Sequence, residues 1–463
     1  MRIGRRLFIK AGALASGSML LGPLFSQAQA FGSTVLKKQA TPAILGGMKA
    51  HPGTWPKWPL WKDESWDKKM VSVLRSGVWS RSETTSLFEK EWAGMLGSKR
   101  CLTTVNGTNA LFVALNQAGI GIGDEVIVPP YTFVATIQAV LLNGAVPVFA
   151  DVDRTTFQMD PELVRKKITS RTKAIIPVHI LGMPVDMDRI MQIAEEHNLV
   201  VIEDACQAHL AEYGGVKVGT IGKAGCFSFQ NSKNIPIGEG GAIVSDDEEF
   251  MDRCYSFHNL GLPYGSQAGS LAGAFIVGTK VRFSEYQAAI GLLQLEEAAR
   301  TTALRWENGK YLTEKLKGIE GIETVRLYPK TTKAVFHLYP MRFISEGFSG
   351  MPRELFVAAM KAEGVPCSTG YSPLQTQPFI KSAFESKLYQ KVYDRDEIDY
   401  DAFLEANKCP ESDSLCKEEA IWIAQSMLLT DSAAMDDIAA AVGKIRENAD
   451  KIIRKYKSGE IKI

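Results

Sequence analysis

Between residues 108 and 245 the chain repeats one pattern: a short, almost wholly apolar run, then a stretch with the period of a helix. Residues 125–128, 146–152, 174–179, 199–203 and 241–245 read as strands. Residues 108–117, 132–142, 161–168 and 187–197 read as helices. Strands without polar alternation have no face to offer water, so helices must cover both sides of a mostly parallel sheet. The expected fold class is therefore α/β. A helix over 285–300, continued by a longer bridging one, leads to looser alternation from residue 301, with a strand at 335–343 and helices at 352–363 and 432–447. That part reads as a smaller α+β C-terminal domain. A chain of 463 residues is long enough for two domains, and the expected division is 66–300 and 301–463, with an arm or linker over 31–65.

The first thirty residues read differently. Arg5-Arg6, with Phe8 and Lys10, precede an apolar stretch interrupted by Gly12, Gly17, Gly22 and Pro23, and Ala28-Gln29-Ala30 ends it. Charged head, apolar middle and small-residue cleavage site are the parts of a secretory signal. The stretch is too short for a stable membrane span. The paired arginines resemble the twin-arginine signal that exports folded proteins, so cleavage after Ala30 and a periplasmic or secreted location are expected. Over the whole chain the charges balance: 53 Lys+Arg against 52 Asp+Glu gives no pull toward nucleic acid. Seven Cys, without CxxC or HExxH spacing, supply neither a disulfide scaffold nor a metal site.

In open parallel sheets ligands bind beyond the carboxyl ends of the strands. Asp204 stands there, after Leu199-Val-Val-Ile-Glu203. A helix cap or a structural ion pair would also explain an acid in that place. Twenty-nine residues on, Lys233 lies between the apolar run Gly225-Cys-Phe-Ser-Phe229 and a Gly-rich turn, with Ser228 five residues before it. Pyridoxal phosphate (PLP) requires this combination: an amine for an imine link, an acid for the pyridinium nitrogen, and donors for the phosphate. Asn106-Gly107-Thr108 opens a helix whose free N–H groups suit phosphate, though a plain cap would use the same residues. Phe133 suits a flat ring, or the core.

Several motifs carry a resemblance beyond these positions: Asn106-Gly-Thr-Asn-Ala-Leu111, Tyr131-Thr-Phe-Val-Ala-Thr136, Glu203-Asp-Ala-Cys-Gln-Ala-His209, Phe227-Ser-Phe, Lys233 with Gly238-Glu-Gly-Gly241, and Gly370-Tyr371-Ser-Pro. From about Trp66 to near the C-terminus the chain resembles the DegT/StrS family of PLP-dependent sugar aminotransferases, of fold type I. Within it, Phe229-Gln-Asn-Ser-Lys233 and the segment from Cys409-Pro to Trp422 resemble the branch of scyllo-inosose aminotransferases and aminohydroxybenzoate synthase.

The resemblance implies roles. Lys233 would bind PLP covalently and move the proton, and Asp204 would keep the pyridine nitrogen protonated. Gln207 would lie beside the ring and Phe133 would stack on it, while Gly107, Thr108 and Ser228 would hold the phosphate. Trp79 and Tyr371 would form pocket wall, and His179 and His209 match family positions with structural roles expected. The family commonly has Gly-x-Asn-x-Arg before the Gln287-Ala-Ala helix, with the Asn reaching the partner subunit's phosphate. Here the segment is Gly278-Thr-Lys280-Val-Arg282. A homodimer is implied, with Lys280 on the phosphate across the interface and Arg282 shaping the loop or meeting a substrate carboxylate. Spacing alone does not decide whether Cys409 and Cys416 pair. The implied activity moves an amino group from an amino acid donor, glutamate or glutamine, to a keto group on a sugar, cyclitol or related ring. An exported PLP-binding sensor or structural protein without turnover and a PLP-dependent lyase or dehydratase are the alternatives. Family dehydratases carry His in place of the lysine, so Lys233 counts against the latter.

Overall fold

The computed structural model describes residues 41–265, 268 and 273–463; the export segment lies outside the described residues. Seven strands form the main sheet: Arg100–Thr104 (β1), Glu125–Val128 (β2), Val146–Phe149 (β3), Thr172–Ile175 (β4), Val200–Asp204 (β5), Ala224–Ser228 (β6) and Gly241–Ser245 (β7), in the order β1-β7-β6-β5-β4-β2-β3. The five strands from β3 to β6 are parallel, and β7 runs antiparallel to both β6 and β1. Residues 126–128, 201–203 and 242–244 are buried on both faces, as apolar strands between two helix layers must be. Architecture and class are as expected.

Helices Glu64–Ser76 (α1) and Glu83–Leu96 (α2) precede the sheet, and Gly107–Gln117 (α3), Ala135–Leu142 (α4) and Met187–His197 (α5) join its strands. Side chains cap three of these starts: Asp63 accepts from the Ser65 N–H, Asn106 from Asn109 and Asp186 from Arg189. The helix at 285 differs from the expectation. It is a single element, Glu285–Leu316 (α6), opened by a capping box of Ser284 and Gln287 and continuous across residue 300. Gly309 does not break it, because a Cβ there would lie 2.3 Å from the Phe336 ring; the glycine admits that ring against the helix.

A second, antiparallel sheet follows, built from Ile322–Thr324 (β8), Leu338–Phe343 (β9), Cys367–Ser368 (β10) and Ala420–Ala424 (β11), in the order β8-β9-β11-β10. Arg353–Ala362 (α7) packs on β10, and Ser432–Glu447 (α8) packs on α7 and α6. Strand β9 begins later than periodicity predicts, because the chain turns at Phe336 with φ 40°. Cys409 and Cys416 are both free thiols. Among the described residues no helix is long and apolar enough to cross a membrane, and no group of three or more His, Cys, Asp or Glu could hold a metal ion.

The segment read as arm or linker is fastened down. Ala43 and Ala50 donate backbone N–H groups to the buried Glu363 carboxylate at 2.7 and 2.8 Å, and Lys444 completes that site at 2.7 Å. Trp55 donates to the Gly364 carbonyl at 2.7 Å and Trp58 to that of Lys233 at 3.1 Å. Pro and Trp, which blur periodicity, here supply rings and indole donors to a docked strap.

Candidate active site

One cavity of about 550 Å³ opens at the carboxyl ends of the parallel strands. The local sequence explains what meets there. Strand β5 ends in Asp204, β6 ends in Ser228, the loop after β2 presents Thr132 and Phe133, and the first turn of α3 presents Gly107 and Thr108. Helix α4 starts at Ala135 rather than 132 because residues 131–134 form that loop. Lys233, Gln207 and Tyr371 line the cavity as well.

Asp204 is 5% exposed. One carboxylate oxygen accepts from the Thr136 hydroxyl at 2.8 Å, and the other from the Cys206 N–H at 3.1 Å. Thr132 braces Thr136 at 3.0 Å. Among the described residues no Lys, Arg or His forms an ion pair with Asp204. A buried carboxylate with two neutral donors and no cation is incompletely compensated, and a protonated ring nitrogen is the partner such a site lacks. Lys233 is 9% exposed and likewise has no ion-pair partner among the described residues. Burial pushes its amine below the usual lysine range, against smaller upward pulls from Cys206 and Asp204. The shift favours the neutral, nucleophilic form.

The phosphate end fits as well. The N–H groups of Gly107 and Thr108 lie in the first turn of α3, where no intrahelical acceptor exists. A Cβ on Gly107 would stand 2.7 Å from Ser228 Cβ and 2.8 Å from Cys206 Sγ, so only glycine leaves the cradle open. Phe133 is 55% exposed and lines the cavity, leaving a ring face for a flat heterocycle. Gln207 is held at both ends: its carbonyl accepts from the Leu181 N–H at 2.8 Å, and its amide donates to the Tyr371 hydroxyl at 2.7 Å. The residues present fit PLP from ring nitrogen to phosphate.

Trp79, Lys280 and Arg282 do not line this cavity. Trp79 is exposed and donates its indole N–H to Leu74 at 3.0 Å. Lys280, also exposed, bridges to Asn259, and Arg282 is half-buried. His179 is structural: Nδ1 accepts from the Val185 N–H at 3.1 Å, so Nε2 carries the hydrogen and donates to Glu203 at 3.0 Å. Glu203 also takes three backbone N–H groups, from Gly219, Ile221 and Gly222. His209 packs among Trp92, Phe227 and Phe229, and burial pushes its pKa down to about 3. Sequence reasoning missed Thr136, His337 and the strap residue Trp58. Thr136 was within reach, since it follows Phe133 by three residues; Trp58 comes from a segment without periodicity, and His337 from a run read as the start of a strand, which gives no sign of the cavity.

Comparisons with known proteins agree with this geometry. The L-glutamine:2-deoxy-scyllo-inosose aminotransferase of Streptoalloteichus tenebrarius is 33% identical over 417 residues, covering 87% of this chain and 97% of the relative. The L-glutamine:scyllo-inosose aminotransferase of Streptomyces griseus is also 33% identical, over 89% and 99%. The crystal structure of 3-amino-5-hydroxybenzoic acid synthase superposes with a TM-score of 0.74 at 29% identity, covering 86% of this chain and 99% of that one. The family model for the DegT/DnrJ/EryC1/StrS aminotransferases, which are PLP-dependent enzymes, matches residues 62–395. With sheet order, strand-end residues and relatives in accord, the chain belongs to the DegT/DnrJ/EryC1/StrS aminotransferase family.

Proposed function

We propose that the protein moves an amino group from glutamine or glutamate to a keto group on a cyclitol or related hydroxylated ring, using PLP bound in the cavity at the strand ends. One observation carries the assignment of roles: a buried carboxylate, Asp204, and a buried amine, Lys233, neither in an ion pair among the described residues, face one cavity with the glycine cradle of α3. The relatives named above support the donor and acceptor classes through the activities in their names.

Bound PLP supplies an electron sink for the bonds at the reacting carbon. The chain supplies the rest. Asp204, pinned by Thr136 and Cys206, keeps a proton on the ring nitrogen. Lys233, whose burial favours the neutral amine, would hold the cofactor, and once the donor's amine has displaced it there, its Nζ would take a proton from one carbon and return it to another. Gly107, Thr108 and Ser228 hold the phosphate, and Phe133 and Gln207 fix the plane of the ring. Lys280 and Arg282, outside the cavity of their own chain, belong in this reading to a homodimer, with Lys280 on the partner's phosphate. The Gly107 cradle and Asp204 would lie in a PLP-binding domain over 66–300, with 301–463 as the smaller domain. Export through the paired arginines is part of the same proposal.

Purified PLP-loaded protein mixed with L-glutamine or L-glutamate should lose its visible absorption band, and scyllo-inosose should restore it. A band unmoved by either amino acid refutes the activity, and failure of every cyclitol ketone after a successful donor step refutes the acceptor class.

A further inference from the structure

The turn at Phe336 brings His337 onto the cavity lining, where no role above uses it. The ring is 6% exposed, with Nδ1 3.3 Å from Asn234 Oδ1. The Asn234 amide has one workable orientation. Its nitrogen donates to the Val335 carbonyl at 2.9 Å. Reversed, its oxygen would face the Val335 oxygen, two acceptors with no hydrogen between them. Asn234 therefore turns its oxygen to His337, and Nδ1 must carry the ring hydrogen. A neutral imidazole has one N–H, so Nε2 is left with a bare lone pair. A second proton is disfavoured: burial holds the ring well below its usual pKa, and Lys233, His209 and Arg305 nearby add to the effect. Nε2 makes no hydrogen bond among the described residues, and it is not one of the enclosed atoms left without a partner.

His337 thus brings to the cavity an acceptor that stays uncharged. A carboxylate or phosphate offers it only lone pairs and is repelled. A hydroxyl supplies the missing hydrogen. Asp204 already accepts from Thr136 and Cys206, and the Gln207 amide donates to the Tyr371 hydroxyl. We propose that His337 Nε2 accepts a hydrogen bond from one ring hydroxyl of the keto acceptor and so selects rings that carry it. This rests on the proposed transfer to a hydroxylated ring and names the contact that reads it.

Two measurements test it. The first compares kcat/KM on scyllo-inosose and a panel of its monodeoxy analogues. Wild-type enzyme should disfavour one analogue by about fivefold, the worth of one neutral hydrogen bond. His337→Phe should abolish that preference at that position alone, and His337→Gln, which keeps an acceptor, should restore part of it. A variant slowed by one common factor on every ring overturns the proposal, because a merely structural histidine would act that way. The second uses 15N-histidine-labelled, PLP-loaded wild-type protein, whose six histidines are sorted by comparison with His337→Gln. The His337 signal should show hydrogen on Nδ1 alone between pH 6 and 9, and its Nε2 resonance should move when unreactive scyllo-inositol is added. Hydrogen on Nε2, or a resonance that ignores the ring, overturns the proposal. Should no inosose be turned over while glutamine still bleaches the cofactor band, the acceptor assignment fails, and the second measurement alone decides the role of His337.

Discussion

Asp204→Asn isolates one charge with little disturbance of shape. The carboxylate accepts from Thr136 at 2.8 Å on one side and from the Cys206 N–H at 3.1 Å on the other. The backbone N–H cannot reverse, so the amide oxygen must take that side and the NH2 group must face Thr136. The hydroxyl can adapt, because Thr132 and Thr136 are 3.0 Å apart and either can donate to the other. The protein should therefore fold and bind PLP. What it loses is an anion facing the ring nitrogen, and with it the proton that makes the ring an electron sink. A hydrogen bond to a charged group contributes about 1.5–3 kcal/mol, so the glutamine half-reaction should slow by roughly 10- to 150-fold. Thr136→Val leaves the charge and removes one neutral donor, worth about 1 kcal/mol, so it should slow the same step by roughly fivefold. Stopped-flow absorbance after mixing with L-glutamine measures both. A variant Asp204→Asn within threefold of wild type, with PLP bound and the fold intact by circular dichroism, would refute the role given to this carboxylate.

Four further outcomes are expected. Gly107→Ala must push Ser228 or Cys206 away from contacts of 2.7 and 2.8 Å; at about 1–3 kcal/mol for overpacking, PLP should bind roughly 5- to 150-fold more weakly by fluorescence titration. His209 is held neutral, with its pKa pushed from 6.5 to about 3 by burial. The unfolded chain therefore binds the extra proton first, and stability present above pH 6.5 is lost as pH falls toward 3, at up to about 1.4 kcal/mol per pH unit; urea unfolding at pH 5 and 7 should show a shallower dependence in His209→Gln. Lys280→Ala should weaken PLP retention by about one to two orders of magnitude, from a charge-assisted bond of roughly 1.5–3 kcal/mol, and Lys280→Asn should recover most of it, with a PLP-loaded active monomer in light scattering as the contrary result. N-terminal sequencing of the protein from its native host should begin at Phe31, and Arg5→Lys with Arg6→Lys should block export.

The sequence alone determined the layers of the fold and the chemistry at the strand ends. Apolar runs buried on both faces permit little but a helix-covered, mostly parallel sheet, and residues such as Asp204 and Ser228 are placed by the strand they terminate. Lys233, Gly107 and Thr108 were legible for the same reason: local chain geometry fixes where they point, and their chemistry is specific. Tertiary structure decided whatever depends on segments far apart in the chain. Lack of periodicity describes residues 31–65 only as an arm or linker; what the fold adds is that Glu363, Gly364 and Lys233 fasten its described part as a strap, because its backbone donors and indoles find acceptors 175 to 320 residues away. Helix α6 runs on past residue 300, where the sequence alone suggests that a second helix takes over, and Gly309 within it leaves room for the Phe336 ring, a contact no local pattern reveals. His337 is the clearest case. Its place in the cavity comes from the turn at Phe336, and its bare nitrogen from an asparagine beside Lys233 that is itself held by Val335. No spacing rule encodes a tautomer; it is set by which acceptors the folded chain places around the ring.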